Sequence, residues 1–358
     1  SAVKGLFYIC LIAATFVLAT ITIMAAFSGN VAPVDSVIMP LLGLAVPVLL
    51  IVNLITALCW ALARKRWALV PLVAFFCNWG YLTSVFQLHL PKDKTPAGKY
   101  LKIATYNIHN FGGEITGYSC KEIARYMQQE GVDVLCFQEF GDNSDFPTDS
   151  IRRVLSHWSH ALIPSEDSVK GVLPIAVFSR YPLANHRFIT YQHSSNCSMM
   201  CDVVMGTDTI RPINNHLQTT SVSQKRRKWE RELATDDTRR EVQAAKDAAG
   251  TLHENFMKRA TQTYVISHYA KTSPYPVLLC GDFNSIPSSY TYHHLRKTLK
   301  DGFRTAGNGY MYTYRYAKRM LRIDYIFHSP SLKGIEYYSP DLDLCSDHNP
   351  VIMEVEIQ

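Results

Sequence analysis

Acidic, asparagine and histidine residues recur in this sequence beside short apolar runs. In chain order they are Asn107, Glu139, His216, Asp282, Asn284, Asp324, Asp347 and His348. Each one alone could be a turn or cap residue. Functional groups collect where loops meet the ends of buried strands, and we therefore expect these side chains to converge on one acid-rich hydrolytic site.

This combination of carboxylates and imidazoles suits the hydrolysis of a phosphate ester. That reaction needs the charge of the phosphate to be neutralised and a water to be made nucleophilic at neutral pH. Hard oxygen ligands such as Glu139 and Asp347 suit Mg²⁺ or Mn²⁺, which bind through one or two carboxylates plus phosphate oxygens. His348 with Asp324 supplies a general acid or base whose pKa can be tuned. The sequence contains no Gly-rich phosphate loop, nucleophile elbow or thiolate cluster that would favour other chemistry.

Six short runs rich in β-branched and aromatic residues predict buried strands that position these groups. They are LKIATYNI, VDVLCFQEF, LPIAVFS, YPVLLCGDF, RIDYIFH and VIMEVEI. Helices are predicted over residues 119–130 and 292–299, and a longer charged helical stretch over 223–268. The basic segment KRRKW at 225–229 is interpreted as part of a solvated helix face, as a contact to phosphate head groups or a nucleic-acid backbone, or as both at once.

The first part of the chain is far more apolar than the rest. Three stretches, 6–27, 37–62 and 68–90, approach or exceed the roughly 20 residues that cross a bilayer core as helix. They predict a bundle of three transmembrane helices within residues 1–91, then a linker over 92–99 and a catalytic domain over 100–358. Arg64, Lys65 and Arg66 fill the second loop, whereas the first loop has no Lys or Arg. This asymmetry predicts a multi-pass protein of the inner (cytoplasmic) membrane, with the catalytic domain in the periplasm or otherwise extracytoplasmic.

Several further features are less decisive. The formal net charge of +6 is too small to indicate a nucleic-acid partner. Cys197 and Cys201 are placed in a polar loop, where they could form a disulfide if the domain is exported. No His or Cys at ligand spacing completes a zinc site with them. His109 is interpreted as a solvated or hydrogen-bonded residue, and Arg180 as a weak candidate for phosphate contact.

The ordered motifs YN, QE, NHLQ, GDFNS, RIDYIF and SDHNPV resemble the endonuclease/exonuclease/phosphatase superfamily. That superfamily includes pancreatic-type deoxyribonucleases, apurinic endonucleases, inositol polyphosphate phosphatases and neutral sphingomyelinases. The resemblance covers about residues 99–358. It implies a four-layered α/β sandwich, with two mixed β-sheets face to face and flanked by helices, here preceded by the three transmembrane helices.

The resemblance also implies a role for each residue. Asn107, Glu139 and Asp347 would surround the metal ion, Mg²⁺ or Mn²⁺. His216 would contact the phosphate, and Asp282 with Asn284 would position or activate the attacking water. His348, oriented by Asp324, would act as general base or as a phosphate-polarising cation.

Three functions follow as hypotheses. In the first, membrane lipid is both the anchor and the substrate, and a phospholipid or sphingolipid head group is released as in sphingomyelinases. In the second, the enzyme is an extracytoplasmic nuclease similar to pancreatic deoxyribonuclease, and the tyrosines of GYMYTYRY stack on bases. The same run could instead be an ordinary alternating strand. In the third, the protein is a catalytically silent membrane scaffold. No protein partner is predicted.

Overall fold

The computed structural model describes residues 2–90, 92, 94–165, 171–220 and 238–357. The chain divides into two compact units: Ser1–Val85 with Ile286–His294, and Phe86–Ser285 with Leu295–Gln358. The described α-helices are α1 Ala2–Ala26, α2 Ile38–Leu62, α3 Leu69–Cys77, α4 Trp79–Val85, α5 Tyr118–Gln129, α6 Thr148–Val154, α7 Thr238–Lys271, α8 Tyr290–Leu295 and α9 Gly302–Ala306. Short 3-10 segments lie at Ser28–Asn30, Arg66–Ala68, His109–Gly113 and Ala317–Arg319.

Among the described residues of the helical unit, two continuous helices, not three, are long and apolar enough to cross a membrane, and a bent pair would make a third span only if both of its halves cross together. The two continuous helices are Val3–Asn30, which covers nearly all of α1 and the 3-10 segment after it, and Ile38–Leu62, which is α2. The third predicted span, 68–90, is wrong as a single helix. It consists of α3 and α4, which bend by 63° at Asn78, and the helix ends at Val85. The Asn78 amide donates to the carbonyls of Ala74 and Thr22 (3.1 Å each), and such side-chain bonds compete with a continuous helix.

Polar side chains join the helices of this unit. The Asn53 amide donates to Thr22 Oγ1 (2.7 Å), and the Trp60 indole donates to Thr15 Oγ1 (2.9 Å). Interhelical hydrogen bonds of this kind hold helices together in an apolar surrounding. Large apolar side chains meanwhile remain exposed along both helices, among them Leu6, Phe7, Ile55 and Leu58. A water-soluble helix pair would bury these side chains, whereas lipid would cover them.

The helical unit also includes a segment from much later in the chain. Ser288 Oγ donates to the Gly43 carbonyl (2.7 Å), and Ser28 Oγ donates to the Ser288 carbonyl (2.9 Å). The Tyr292 hydroxyl donates to Ser84 Oγ (2.9 Å). Residues 286–294 therefore pack with the N-terminal helices, although they directly follow the GDFNS segment in the sequence. Helix α8 confirms the helix predicted near 292, but it ends at Leu295.

The second unit is an α/β structure with two six-stranded mixed sheets. Its described strands are β1 Phe86–Gln87, β2 Lys99–Asn107, β3 Val134–Gln138, β4 His160–Leu162, β5 Ile175–Ser179, β6 Leu183–Thr190, β7 Cys197–Met205, β8 Asp208–His216, β9 Val277–Asp282, β10 Lys300–Asp301, β11 Gly309–Tyr310, β12 Asp324–His328, β13 Leu332–Tyr338 and β14 Val351–Ile357. The first sheet has the order β13-β14-β2-β3-β5-β4 and the second β10-β12-β9-β8-β7-β6. Strands β1 and β11 form a separate pair. All six strands predicted from apolar runs are present.

The sheets face each other across a shared apolar core. Ile103 and Cys136 of the first sheet share this core with Leu278, Cys280 and Ile326 of the second. Helices α5 and α6 cover the outer face of the first sheet. The two mixed sheets flanked by helices agree with the four-layered sandwich that the resemblance implies.

A buried polar contact also joins the two sheets. Gln138 Nε2 on β3 donates to Asn214 Oδ1 on β8 (2.6 Å), and Asn214 Nδ2 donates to the Phe137 carbonyl (3.0 Å). Both amides are fully buried, and such a pair requires one relative position of the sheets to keep its hydrogen bonds.

The placement of Cys197 and Cys201 in a polar loop is wrong. Both thiols are buried on β7 and both are free. Four residues of strand span about 13 Å, and disulfides need Cα atoms within about 7 Å. Their spacing on one strand therefore excludes a bond between them.

The helix predicted over residues 223–268 and the strand considered for residues 309–316 have different outcomes in the structure. The long helical stretch is confirmed in part as α7, whereas the basic segment 225–229 lies outside the described residues. The alternating strand proposed for GYMYTYRY is reduced to the two residues of β11.

Candidate active site

The sheet topology brings the predicted residues to one edge. Strands β8 and β9 are parallel and end at His216 and Asp282, which are paired in register. Asp324 begins the antiparallel strand β12 and pairs with Asp282. In the first sheet Asn107 ends β2, which lies between β3 and β14. The ends of four strands thus deliver polar groups to the same region.

Asp282 lies at the centre of this cluster. Its Oδ2 atom accepts a hydrogen bond from Asn107 Nδ2 (3.1 Å) and lies 3.7 Å from both His216 Nε2 and His348 Nε2. Asn107 Nδ2 also donates to Glu139 Oε1 (3.2 Å). Strands of both sheets therefore supply the groups around one carboxylate.

Two other predicted residues lie at the rim of this cluster. Asp347 Oδ1 is 3.9 Å from His348 Nε2, and its side chain is about one-third exposed. Glu139 has a positive φ of 49°, a conformation that a non-glycine residue adopts only at a cost. Its Oε1 atom lies 3.7 Å from His216 Nε2.

His348 and Asp324 form a buried ion pair. Nδ1 of His348 lies 2.9 and 3.1 Å from the two Asp324 oxygens. Burial by itself would lower the pKa of the imidazole, but the charges of Asp324, Asp282 and Asp347 outweigh it and raise this pKa to about 10. An ion pair alone would lower the pKa of Asp324, yet burial raises it to about 6. At neutral pH the pair is an imidazolium beside a carboxylate.

His216 has the opposite electrostatic character. Its ring is fully buried, and burial lowers its pKa despite attraction from Asp282 and Glu139. Neither ring nitrogen has a hydrogen-bond partner among the described residues. A buried imidazole without partners is costly, and a phosphate oxygen or a metal ligand sphere at this position would relieve that cost.

Asn284 is held by backbone contacts on both sides. Its N–H donates to Asp282 Oδ1 (2.8 Å), and its Nδ2 donates to the Leu217 carbonyl (3.0 Å). Its φ of 49° is in the left-handed region, where Asn is among the more tolerant residues. The amide nitrogen is used by Leu217, and the amide oxygen is the atom that can orient a water.

The donor set fits a hard divalent cation. Ligand atoms of Asp282, Asp324 and His348 all lie within 4.8 Å of one another. Both Asp324 oxygens already contact His348 Nδ1, so we favour the carboxylates of Glu139 and Asp347 as metal ligands over this geometric group. Carboxylate and amide oxygens are the ligands that Mg²⁺ and Mn²⁺ prefer. The assignment of Asn107, Glu139 and Asp347 to the metal stays a prediction.

Tyr314 lies at the site, although the sequence did not predict it there. Its ring packs edge-on against the His348 ring, with centroids 5.2 Å apart. Burial first, then the charge of Asp347, raises the pKa of Tyr314 to about 12, and the phenol also hydrogen-bonds Asp347. The GYMYTYRY pattern drew attention to this segment, but nothing local indicated which of its tyrosines faces the site.

Two further residues discussed from the sequence have side-chain partners, and the hydrogen-bonded, solvated state expected of His109 is confirmed. His109 Nδ1 lies 3.2 Å from Glu139 Oε2, which places it at the rim of the site. Arg180 instead donates to Asp133 Oδ1 (2.9 Å) and has a structural contact.

Two facing mixed sheets with a carboxylate–histidine cluster at their common edge form an α/β fold whose site has the groups that hydrolysis of a phosphate ester needs. A family model described as "Endonuclease/Exonuclease/phosphatase family" matches residues 104–348, and the chain belongs to this family. Members of this family are phosphoester hydrolases that generally use divalent metals. A second model, "Domain of unknown function (DUF8431)", matches residues 6–85. The comparison with curated proteins found no match.

Solved structures show the same fold at low sequence identity. An endonuclease/exonuclease/phosphatase from Bacteroides vulgatus is 16% identical, with a TM-score of 0.52, over 73% of this chain and 100% of that one. One from Beutenbergia cavernae is 16% identical, with a TM-score of 0.51, over 72% of each chain. TDP2 from Caenorhabditis elegans is 15% identical, with a TM-score of 0.50, over 73% of this chain and 75% of that one.

Proposed function

We propose that this protein is a membrane-anchored, divalent-metal-dependent phosphodiesterase that releases the head group of a phospholipid or sphingolipid. The observation that supports hydrolysis is the cluster around Asp282. The amide of Asn107 and the imidazoles of His216 and His348 each lie within 3.7 Å of its Oδ2 atom. Family membership supports phosphoester hydrolysis, whereas the lipid substrate is our own inference.

The site residues have different roles in this proposal, and the protonation states of the two histidines help to assign them. Asn107, Glu139 and Asp347 would hold Mg²⁺ or Mn²⁺, which when bound neutralises phosphate charge and polarises the phosphorus centre. Asn284 orients the attacking water, and Asp282 accepts its proton as the new bond to phosphorus forms. The bond from phosphorus to the oxygen of the leaving alcohol breaks in the same step, and the leaving alkoxide takes up a proton from solvent. His216, neutral because of burial, contacts a non-bridging oxygen. The raised pKa of His348 favours the cationic role, in which its Nε2–H donates to the phosphate while Asp324 fixes Nδ1.

The apolar helices support a lipid substrate. A catalytic unit tied to a bilayer meets lipid at a high effective concentration, which a soluble enzyme must achieve by binding. The exposed apolar faces of α1 and α2 are those expected of helices in contact with lipid.

A nuclease is the second candidate. Tyr310 and Tyr316 are 52% and 65% exposed, and Tyr316 packs against Tyr314, whose ring contacts His348. Exposed aromatic rings beside a phosphodiester site could stack on bases of single-stranded nucleic acid.

A direct comparison of substrates tests the proposal. The full chain in detergent or nanodiscs, with Mg²⁺, is offered sphingomyelin and phosphatidyl lipids on one side and plasmid DNA and RNA on the other. Release of a phosphorylated head group, lost with EDTA and in Asp282→Asn, supports the proposal. Degradation of nucleic acid without lipid turnover overturns the lipid assignment. Activity on neither class, in a folded protein, supports the catalytically silent scaffold.

A further inference from the structure

Helix α7 presents three buried polar residues to the loop that follows β8. Asn255, Arg259 and Gln262 are spaced by four and three residues, which puts them on one helix face. Their exposed fractions are 5%, 2% and 2%. A face this polar gains little from burial itself, and it must therefore be stabilised by specific contacts.

Those contacts are hydrogen bonds to the loop Leu217–Thr220. Asn255 Nδ2 donates to the Thr220 carbonyl (3.2 Å), and Gln262 Oε1 accepts from the Gln218 N–H (2.7 Å). Arg259 donates through a terminal nitrogen to Thr220 Oγ1 (3.3 Å). Hydrogen bonds from the helix thus reach both Gln218 and Thr220 of this loop.

The same loop holds the residues assigned to the attacking water. The Leu217 N–H donates to the Asp282 carbonyl (2.9 Å), and the Leu217 carbonyl accepts from Asn284 Nδ2 (3.0 Å). Thr220 Oγ1 lies at hydrogen-bond distance, 3.5 Å, from the Asn284 carbonyl. A path of hydrogen bonds therefore runs from Arg259 through Thr220 to Asn284.

Arg259 is an unusual residue for a purely structural role. Its Nε and one terminal nitrogen are buried and have no hydrogen-bond partner among the described residues. The guanidinium lies 5.2 Å from the centre of the Phe256 ring, and a nonpolar side chain would fill this space without the desolvation cost. Burial lowers its pKa to about 10, so it stays charged at neutral pH, and Asp282 is the acid whose charge attracts it.

We infer that Arg259 is a positioning residue of the site, which through Thr220 and the loop Leu217–Thr220 keeps Asn284 and Asp282 in their relative places. The inference rests on the proposed hydrolysis for its kinetic consequences. Its structural content, that Arg259 orders this loop, is independent of any substrate.

The kinetic test uses bis(4-nitrophenyl) phosphate with Mg²⁺ and the full chain in detergent. Arg259→Met should lower kcat by about 10- to 100-fold, as is typical for outer hydrogen-bond partners of active-site groups, with KM changed by less than about 2-fold. Arg259→Lys should recover part of the loss, because it restores a positive donor. Thr220→Val removes the hydroxyl that accepts from Arg259; it should lower kcat in the same way and should not add to Arg259→Met.

Arg211→Met is the matched control. Arg211 is also a largely buried arginine, paired with Asp202 Oδ1 (2.7 Å) and lying 5.5 Å from the centre of the Tyr275 ring, and its partners are not residues of the site. This variant should lower thermal stability while kcat is retained. If kcat fell as much in Arg211→Met as in Arg259→Met, the loss would be explained by general destabilisation, and the inference would be overturned.

Hydrogen–deuterium exchange separates this inference from the proposed function. Arg259→Met should increase deuterium uptake in peptides covering residues 217–220 and 282–285, and Arg211→Met should not. If the wild type hydrolyses no phosphodiester, the proposed function fails, but the exchange comparison still decides whether Arg259 orders the loop. Unchanged exchange in Arg259→Met, or an unchanged kcat in an active enzyme, refutes the positioning role.

Discussion

At the scale of single residues, the site separates two histidines by their surroundings. His216 is buried without hydrogen-bond partners among the described residues and has a lowered pKa, whereas His348 is paired with Asp324 and has a raised one. Both lie 3.7 Å from the same Asp282 oxygen. One carboxylate is thus flanked by a neutral and a charged imidazole, which can serve different oxygens of one phosphate.

The pKa of His348 predicts how its contribution to stability depends on pH. The folded protein holds the imidazole proton more tightly than the unfolded chain, since the pKa is raised from 6.5 to about 10. The stabilisation is complete below the unfolded value and is lost as the pH rises through the folded one. We expect the difference in free energy of unfolding between wild type and His348→Asn to shrink from pH 6.5 to about pH 10. Urea unfolding in EDTA measures it; a difference that grows with pH would contradict the ion pair.

Tyr314 provides a prediction about metal affinity. Tyr314→Phe keeps the ring against His348 but removes the hydroxyl that hydrogen-bonds Asp347. Because partners of metal ligands typically change affinity by about 10- to 100-fold, the Mg²⁺ concentration for half-maximal activity should rise by about that factor. Tyr316→Phe is the control, and an equal rise in both variants would argue against a specific role for the Tyr314 hydroxyl.

At the scale of elements, a buried ion pair holds the segment that leads into strand β12. Arg322 precedes β12 and donates two hydrogen bonds to Asp301, 2.7 and 2.6 Å long. Its guanidinium lies over the rings of Phe303, Tyr325 and Tyr337. The RID motif therefore combines a structural arginine with the site residue Asp324, two positions later.

Removal of one partner from this pair should be strongly destabilising. Both side chains are fully buried, and Asp301→Asn leaves the Arg322 charge without its counter-ion. We expect a loss of about 3–5 kcal/mol in the free energy of unfolding. The exposed pair of Lys99 with Asp208 is the control, and Asp208→Asn should cost less than about 1 kcal/mol. Equal losses in denaturant unfolding would mean that burial of the first pair is energetically unimportant.

At the scale of the whole molecule, the N-terminal helices share a packed unit with a later segment of the chain. Ile286, Ser288 and Tyr292 are buried, and Ser288 and Tyr292 hydrogen-bond to Gly43 and Ser84. The boundary between the two units therefore differs from a simple division of the sequence near residue 91.

Deletion of residues 1–85 tests this organisation. The fragment 86–358 should expose the apolar and aromatic side chains of 286–294, because their partner helices are gone, and it should bind the dye ANS. Restoration of low dye binding by Ile286→Ser with Tyr292→Ser would identify this segment as the exposed surface. A fragment that unfolds as cooperatively as the full chain without dye binding would show that the segment needs no helical partner.

The side of the membrane depends on the bent pair α3–α4. An extracytoplasmic catalytic unit requires this pair to cross, because α1 and α2 alone return the chain to the side of Arg64, Lys65 and Arg66. We expect protease added outside spheroplasts to digest residues 100–358, with a cytoplasmic marker protein as the intact control. Digestion only in inverted vesicles would mean that the pair does not cross and that the catalytic unit is cytoplasmic.

The sequence by itself determined the six strands, the two long apolar helices and the order of the site motifs. These are local properties, since apolar runs and their polar ends are visible in a few consecutive residues. Only the tertiary structure decided that Asp282 is the common neighbour of Asn107, His216 and His348, that Tyr314 contacts the site, and that Asn78 bends the third apolar stretch. It also decided that residues 286–294 pack with the N-terminal helices and that Arg259 is joined to Asn284. The physical reason is that these contacts join residues far apart in the chain, and their energies depend on burial and geometry that no local pattern contains.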